Sequence, residues 1–311
     1  MFPTRRDFLA TSAAAVGGAV LLRPSSGSAL AWAQQAPAPS PTFTPIRRNV
    51  GLFTMRGGTV GWMVNGEGVV VVDSQFPAEA QVLLAGLDER STSRPVDALI
   101  NTHHHGDHTG GNAAFRGRAR RVVAHEMAAG HMRNPPGAQP PADTLFPDVT
   151  FADSWSLDVG DELVSVQYYG RAHTSGDAVI TFERANVAHL GDLMFHRRHP
   201  VVDRSAGATL RGWMEVLDRT LADHGKDTIY IFGHAGAGLP VRGTFTDILR
   251  FRDYLGAVLS FVNRQIRDGR SRDEILAMQA PLEGFEDFGP FGQPGAREVR
   301  TCAYEELTDG G

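Results

Sequence analysis

Cysteine is almost missing from this sequence: its 311 residues hold one, Cys302. A single thiol cannot form a disulfide within the chain, and its distance from every histidine run argues against a catalytic cysteine. Positive charge is not in excess, because 30 lysines and arginines face 35 aspartates and glutamates for a formal net charge of −5. That balance supplies no basic field of the kind that draws a protein to nucleic acid or to an anionic membrane, so a small-molecule partner is expected. A long hydrophobic run is absent too. The most apolar stretch, Ala10 to Leu22, is rich in alanine and glycine and falls short of the ~20 strongly apolar residues that a spanning helix needs. What is present is 42% apolar residues, ample for a buried core. No internal repeat is evident, and no feature sets an oligomeric state.

The segment ahead of the apolar stretch, Thr4-Arg5-Arg6-Asp7-Phe8-Leu9, resembles the twin-arginine export motif. Small residues at Ala29, Ala31 and Ala33 offer cleavage after Ala31 or Ala33. The resemblance implies a signal peptide over residues 1–33, export of the folded protein to the periplasm, and a mature chain with no stable membrane anchor. Such a route suits an enzyme that takes up its metal before crossing, away from competing periplasmic ions.

Residues 34–45 are dense in proline and alanine and are expected to form an extended linker. One domain is expected over 46–280, with 281–311 as its C-terminal loop and short helix. Short apolar runs at 49–55, 59–64 and 69–73, separated by Gly57-Gly58 and Asn65-Gly66-Glu67-Gly68, predict consecutive antiparallel strands. Pro77 opens a helix in which Ala80, Leu83, Leu84 and Leu87 recur at helical spacing. Strands are predicted at 96–101, 121–124, 162–169, 178–183, 186–191 and 228–233, and helices at 125–132, 208–223 and 244–267. Between them lies a proline-rich loop over 133–147, long enough to be functional or mobile.

The chemistry is concentrated in Asn101-Thr102-His103-His104-His105-Gly106-Asp107-His108. Four metal-competent side chains, His103, His105, Asp107 and His108, fall within six residues directly after a strand. Residues i and i+2 of an extended segment point the same way, so His103 and His105 can converge on one ion. Gly106 permits a turn that aims Asp107 and His108 at a second. Imidazole and carboxylate suit zinc, and three protein ligands with an open position mark a catalytic site.

The pattern His-x-His-x-Asp-His resembles the signature of the metallo-β-lactamase superfamily, and later segments match that family in order. Gly170-Arg171-Ala172-His173-Thr174-Ser175-Gly176-Asp177, Leu190-Gly191-Asp192 and Phe232-Gly233-His234 resemble the segments that carry its remaining ligands. The resemblance implies an α/β fold, a four-layer αββα sandwich of two mixed sheets flanked by helices, with two zinc ions at one edge. His103, His105 and His173 would hold the first zinc, and Asp107, His108 and His234 the second, with Asp192 bridging them. A hydroxide between the metals would attack a cyclic amide or ester carbonyl, as in a β-lactamase or a lactonase, with Asp107 orienting it and carrying its proton. Asp192 replaces the cysteine of the well-known class B1 lactamases, and resembles the aspartate of glyoxalase II-like thioesterases and of lactonases. A thioesterase is therefore the alternative enzyme. An accessory periplasmic metal-binding protein of a quinoprotein system is the alternative outside enzymes.

Specificity is expected from three pieces: loop 133–147 as a lid, the Gly57-Gly58 turn as a flap, and Phe195-His196-Arg197-Arg198-His199-Pro200. In the last, His196, Arg197 and Arg198 would meet a substrate carboxylate, unless the arginines are solvated or paired with Asp203. Trp62 could reach the flap, although Trp62, Phe53 and Phe76 are more often core residues. His125, His131, His189 and His224 are expected to be structural, and His104 to sit behind the ligands or in solvent.

Overall fold

The computed structural model describes residues 40–136, 138–278, 280–290 and 295–308. The twin-arginine segment, its cleavage positions and the first part of the linker lie outside the described residues. Among the described residues no helix is long and apolar enough to cross a membrane.

Two sheets form the centre. The first runs β1 (Thr42–Arg47), β2 (Val50–Thr54), β3 (Val60–Val64), β4 (Val69–Val72), β5 (Ala98–Ile100), β6 (Val122–His125) and β7 (Val149–Phe151) in sequence order, antiparallel up to β4 and parallel from there. Chain returns between its parallel strands pass through α1 (Pro77–Ser91), α2 (Gly106–Thr109) and α3 (Glu126–Arg133). In the second sheet β8 (Ser154–Val159), β9 (Glu162–Tyr168), β10 (Ala178–Phe182) and β11 (Val187–His189) pair antiparallel. A two-stranded parallel ribbon, β12 (Phe195–His196) with β14 (His234–Ala235), stands beside it. β13 (Ile229–Ile231) joins β11 in parallel, and β15 (Arg242–Gly243) closes that edge. α4 (Leu210–Asp223), α5 (Phe245–Arg267), α6 (Arg272–Ala277) and α7 (Ala296–Thr308) complete the chain.

Burial explains the layering. All four valines of β4 are buried, but alternate ones enter different cores, as the two-residue period of a strand requires. Val70 and Val72 meet Val164, Val166, Ile180 and Phe182 of the second sheet, whereas Val71 packs on Leu83 and Leu87 of α1. A third core joins the second sheet to α4, α5 and α7 through Leu190, Trp213, Phe251, Val258 and Val299. The order is helix, sheet, sheet, helix: the expected αββα sandwich of two mixed sheets.

One boundary moves. Residues 42–45, expected within an extended linker, are paired in β1, where the Phe43 and Phe53 rings pack at a tilt with centroids 4.8 Å apart. Proline density misled because Pro45 is tolerated on an edge strand, and the register shifts between Pro45 and Arg47. The sequence reading also passed over β7, β8 and α6, along with the short strands β12, β14 and β15, whose runs are too brief or too polar to show a period.

Candidate metal centre

Each segment of the motif leaves the carboxyl end of a strand at the same edge of the sandwich. Parallel β4 and β5 deliver Asp73 and the 101–108 segment; parallel β11 and β13 deliver Asp192 and His234. Carboxyl ends of parallel strands are where backbone opens into a crevice, and ligand sites concentrate there. Gly106 to Thr109 form one helical turn, α2, with His105 as its N-cap. His105 therefore stays with His103, while Asp107 and His108 turn away to a second group.

Two clusters result. Ligand atoms of His103, His105, His173 and Asp192 lie within 4.8 Å of one another, as do those of Asp107, His108 and His234. His105 Nδ1 is 3.0 Å from His173 Nε2, and His108 Nε2 is 3.4 Å from His234 Nε2. Asp192 stands between the groups with one oxygen toward each. Its Oδ2 is 3.6 Å from His173 Nε2 and 3.9 Å from His103 Nε2, while its Oδ1 is 3.0 Å from His108 Nε2 and 3.3 Å from His234 Nε2. Asp107 Oδ2 closes the second group, 3.2 Å from His234 Nε2 and 3.7 Å from His108 Nε2.

These contacts fit a cation. His103 Nε2 is fully buried without a hydrogen-bond partner, a costly state for a lone pair unless something electropositive meets it. Nitrogen and oxygen donors converging from different elements are the set that zinc accepts. A third group, His104, His105 and Asp203, plays another part: Asp203 Oδ2 lies 3.0 Å from His105 Nε2 and 3.5 Å from His104 Nε2. A carboxylate behind a ligating imidazole fixes its ring and tautomer.

Electrostatics separate the clusters. Burial pushes His173 down to about 3, with His105 adding to it, and pushes His103 well below its ordinary value. Burial acts the same way on His108, but the Asp192 and Asp73 carboxylates outweigh it and hold that ring well above. His234 rises likewise: Asp192 and Asp107 overcome its burial. Asp192 is fully buried, which favours its neutral form, yet His234 and His108 keep it well below the usual carboxylate range. His103 and His173 of the first cluster thus present neutral imidazoles, and the second cluster gathers charge of both signs.

Supporting residues escaped the sequence reading. Asp73 accepts from Thr102 N and Thr102 Oγ1 at 2.8 Å each, and its Oδ2 is 2.7 Å from His108 Nδ1. It is fully buried in a left-handed conformation at φ 66°. An acid directly after an all-valine strand was its available signal. Asp177 accepts from Thr174 N at 2.6 Å and Thr174 Oγ1 at 3.0 Å, tightening the turn that carries His173; burial pushes its carboxyl up to about 7. Gly58 is pressed against the His108 ring, where a Cβ would collide, and donates to Asp107 O at 3.0 Å. The Gly57-Gly58 turn accordingly covers the second cluster.

The substrate contacts expected after Asp192 are engaged elsewhere. Arg197 pairs with Asp287, Arg198 donates to Ala235 O at 2.9 Å, and His196 Nδ1 is 2.8 Å from Pro240 O. Asp203 belongs to His104 and His105 rather than to either arginine. Trp62 is 6% exposed, in the core against α1, with Phe43 at 6.3 Å. Alternation along β3 explains this: its odd and even positions serve opposite faces. Of the other histidines, His125 caps α3 and stacks on Tyr168, and His189 and His224 hydrogen-bond within the fold. His131 Nε2 lies 2.9 Å from Ser175 Oγ.

Residues 54–234 match the sequence model of the metallo-beta-lactamase superfamily, more than half of the chain and every member of the two clusters. The chain belongs to the metallo-beta-lactamase superfamily. Within it, the chain is 28% identical over 162 residues to the alpha subunit of 2,4-dinitroanisole O-demethylase from Nocardioides sp. (strain JS1661), covering 50% of this chain and 47% of that one. It is 21% identical over 198 residues to Metallo-beta-lactamase IND-1 of Chryseobacterium indologenes, 61% of this chain and 80% of the relative. To the hydroxyacylglutathione hydrolase of Prochlorococcus marinus (strain MIT 9301) it is 25% identical over 155 residues, 49% and 56% respectively. The chain thus spans about half the length of the first and third of these relatives. Among solved structures, a metallo-beta-lactamase from Pontibacter korlensis superposes with TM-score 0.57 at 21% identity, over 70% of this chain and 99% of that one. A double mutant of the sec-alkyl sulfatase PisA1 gives 0.65 at 17%, over 86% and 50%. At these identities the superpositions establish the superfamily fold.

Proposed function

We propose that this superfamily member is a dinuclear zinc hydrolase that opens a cyclic amide or ester, and that it works in the periplasm after twin-arginine export. One observation carries the reading: Asp192 presents a different carboxylate oxygen to each of two clusters that together hold the other six donors. His103, His105 and His173 would hold one ion and Asp107, His108 and His234 the other. When bound, such a pair supplies Lewis acidity toward a carbonyl and a hydroxide at neutral pH. The chain supplies position and proton handling. Asp203 and Asp73 orient the rings of His105 and His108 from behind. Asp107 is the most exposed member of its cluster, its side chain 27% accessible, and His234 and His108 overcome its burial to keep it ionised. Its carboxylate, through the oxygen that does not face His108 and His234, is therefore suited to take a proton from the nucleophile and pass it to the leaving group. The Gly57-Gly58 turn shields the carboxylate's neighbours from bulk water.

Aspartate at position 192 and the kinship with a hydroxyacylglutathione hydrolase favour thioester hydrolysis as the second reading. Mature protein prepared from the periplasm, analysed for metal and offered a chromogenic β-lactam, a homoserine lactone and a glutathione thioester, tests both. Two zinc ions per chain with rapid turnover of the lactam or lactone are expected. Turnover of the thioester alone selects the second reading, and bound zinc without turnover of any of the three selects an accessory metal-binding role.

A further inference from the structure

A cavity of about 460 Å³ adjoins the first cluster, between the start of α1, the 104–113 segment, the end of α3 and the proline-rich loop. Ala113, Met132, Pro135, Pro140 and Leu145 are among its walls, and His104 and His105 belong to the same lining. Its chemistry is unusual for a polar edge of the molecule. Among the described lining residues the only side chain with a full charge is Asp143, and none is lysine or arginine. None is phenylalanine, tyrosine or tryptophan either. Pro135, Pro136, Pro140 and Pro141 contribute no backbone N–H, so this wall offers few donors to a polar or anionic group. Polar side chains are present too, Thr109, Gln139 and Thr144 among them, and His104 Nδ1 is buried without a hydrogen-bond partner. The size falls in the usual range for a small-molecule site.

We propose that this cavity receives an uncharged aliphatic chain of the substrate, so that the enzyme selects neutral, chain-bearing substrates over those recognised by a carboxylate. The placement of the scissile bond beside the cavity rests on the hydrolase reading above; the chemistry of the cavity does not. The cations first expected to bind a carboxylate, Arg197 and Arg198, do not line it. Among the described loop residues, Pro135, Pro136, Pro140, Pro141 and Leu145 thus give this side of the cavity an apolar wall.

Two measurements on the mature, zinc-loaded protein test this. Octan-1-ol titrated by calorimetry is expected to bind saturably at one site per chain, and Ala113→Trp, which fills the cavity from the 3-10 turn Asn112–Phe115, is expected to weaken it at least tenfold. In parallel, kcat/KM for 4-nitrophenyl esters is expected to climb from acetate toward octanoate, by up to about fourfold per methylene. In Ala113→Trp that climb is expected to disappear, the octanoate ester losing its advantage over the acetate ester. Absence of saturable octanol binding, binding indifferent to Ala113→Trp, or ester rates flat with chain length would each overturn the proposal. If Ala113→Trp does not fold, Leu145→Ala enlarges the same cavity and is expected to move the optimum of both series to longer chains; an unmoved optimum overturns the proposal. Octanol binding with no hydrolysis of any ester, β-lactam, lactone or thioester leaves the cavity assignment standing and removes the hydrolase reading. Hydrolysis that ignores chain length does the reverse.

Discussion

The two clusters are built from similar residues yet are electrostatically different. In the cluster of His103, His105 and His173, burial holds His173 near 3 and His103 well below its ordinary value. His108 and His234 are buried as well, and the carboxylates around them hold both rings above theirs. In the protein alone, the lone pairs of His108 and His234 are contested by protons, and those of His103 and His173 are free of them. Metal binding displaces protons wherever ligands are protonated. Affinity at the second cluster should therefore fall earlier on acidification than affinity at the first. Where burial outweighs the neighbouring carboxylate the imidazole is a ready donor; where carboxylates outweigh burial, occupancy of the site depends on pH.

The largest test removes the residue that the clusters share. Asp192→Asn leaves the size unchanged but cancels the charge facing both groups, and kcat/KM is expected to fall by about 10²- to 10³-fold, with metal analysis showing less than two zinc per chain. Full metal and near-normal turnover would contradict the bridging role.

Next in size is acid sensitivity, measured on metal-stripped protein. His189 lies beneath the site with Nε2 3.1 Å from Thr59 O, while its Nδ1 accepts from Gly191 N at 3.1 Å; burial pushes it down to about 4. Its folded pKa lies below the unfolded value near 6.5, so the unfolded chain takes up the proton first. This contribution to stability is complete above pH 6.5 and is lost as pH falls toward 4, by about 3 kcal/mol. Urea titrations at pH 7 and pH 4 read it, and His189→Gln should flatten that part of the profile.

A smaller effect separates the clusters directly. Asp73→Asn removes the carboxylate behind His108, and Asp203→Asn the one behind His105. Each is expected to weaken zinc at its own cluster by about 10- to 100-fold, read by competition with a chelator. Equal losses at both ions from either variant would show that the clusters do not behave as distinct sites. Least of all, Arg197→Ala removes a partly exposed pair with Asp287 and should change stability by less than about 1 kcal/mol, with kcat/KM unaltered. A large rise in KM would restore the arginine to substrate recognition.

Local pattern was enough to identify β4, whose valine run is buried on both faces, and α1, whose apolar residues recur at helical spacing. The run from His103 to His108 was legible for the same reason, because donors two residues apart on extended backbone must share a side. His173, Asp192 and His234 could be named only through the family resemblance. Nothing in their immediate sequence places Asp192 Oδ1 beside His108, and that approach depends on how β11 and β13 pack against the first sheet. β7 was missed because Val149–Phe151 is three residues long, whereas Ser154–Val159 of β8 carries a two-residue polar and apolar alternation that could have identified it.

By itself the sequence determined which stretches are strands and helices, because backbone periodicity and burial are local properties repeated over many residues. It also determined the first four donors, which one turn of chain brings together. Tertiary structure alone decided that Asp73 and Asp203 stand behind His108 and His105, that Arg197 is spent on Asp287, and that a proline-lined apolar cavity opens beside the first cluster. Each of these joins residues tens of positions apart, and such contacts are set by the packing of two sheets face to face, which no short window of sequence contains.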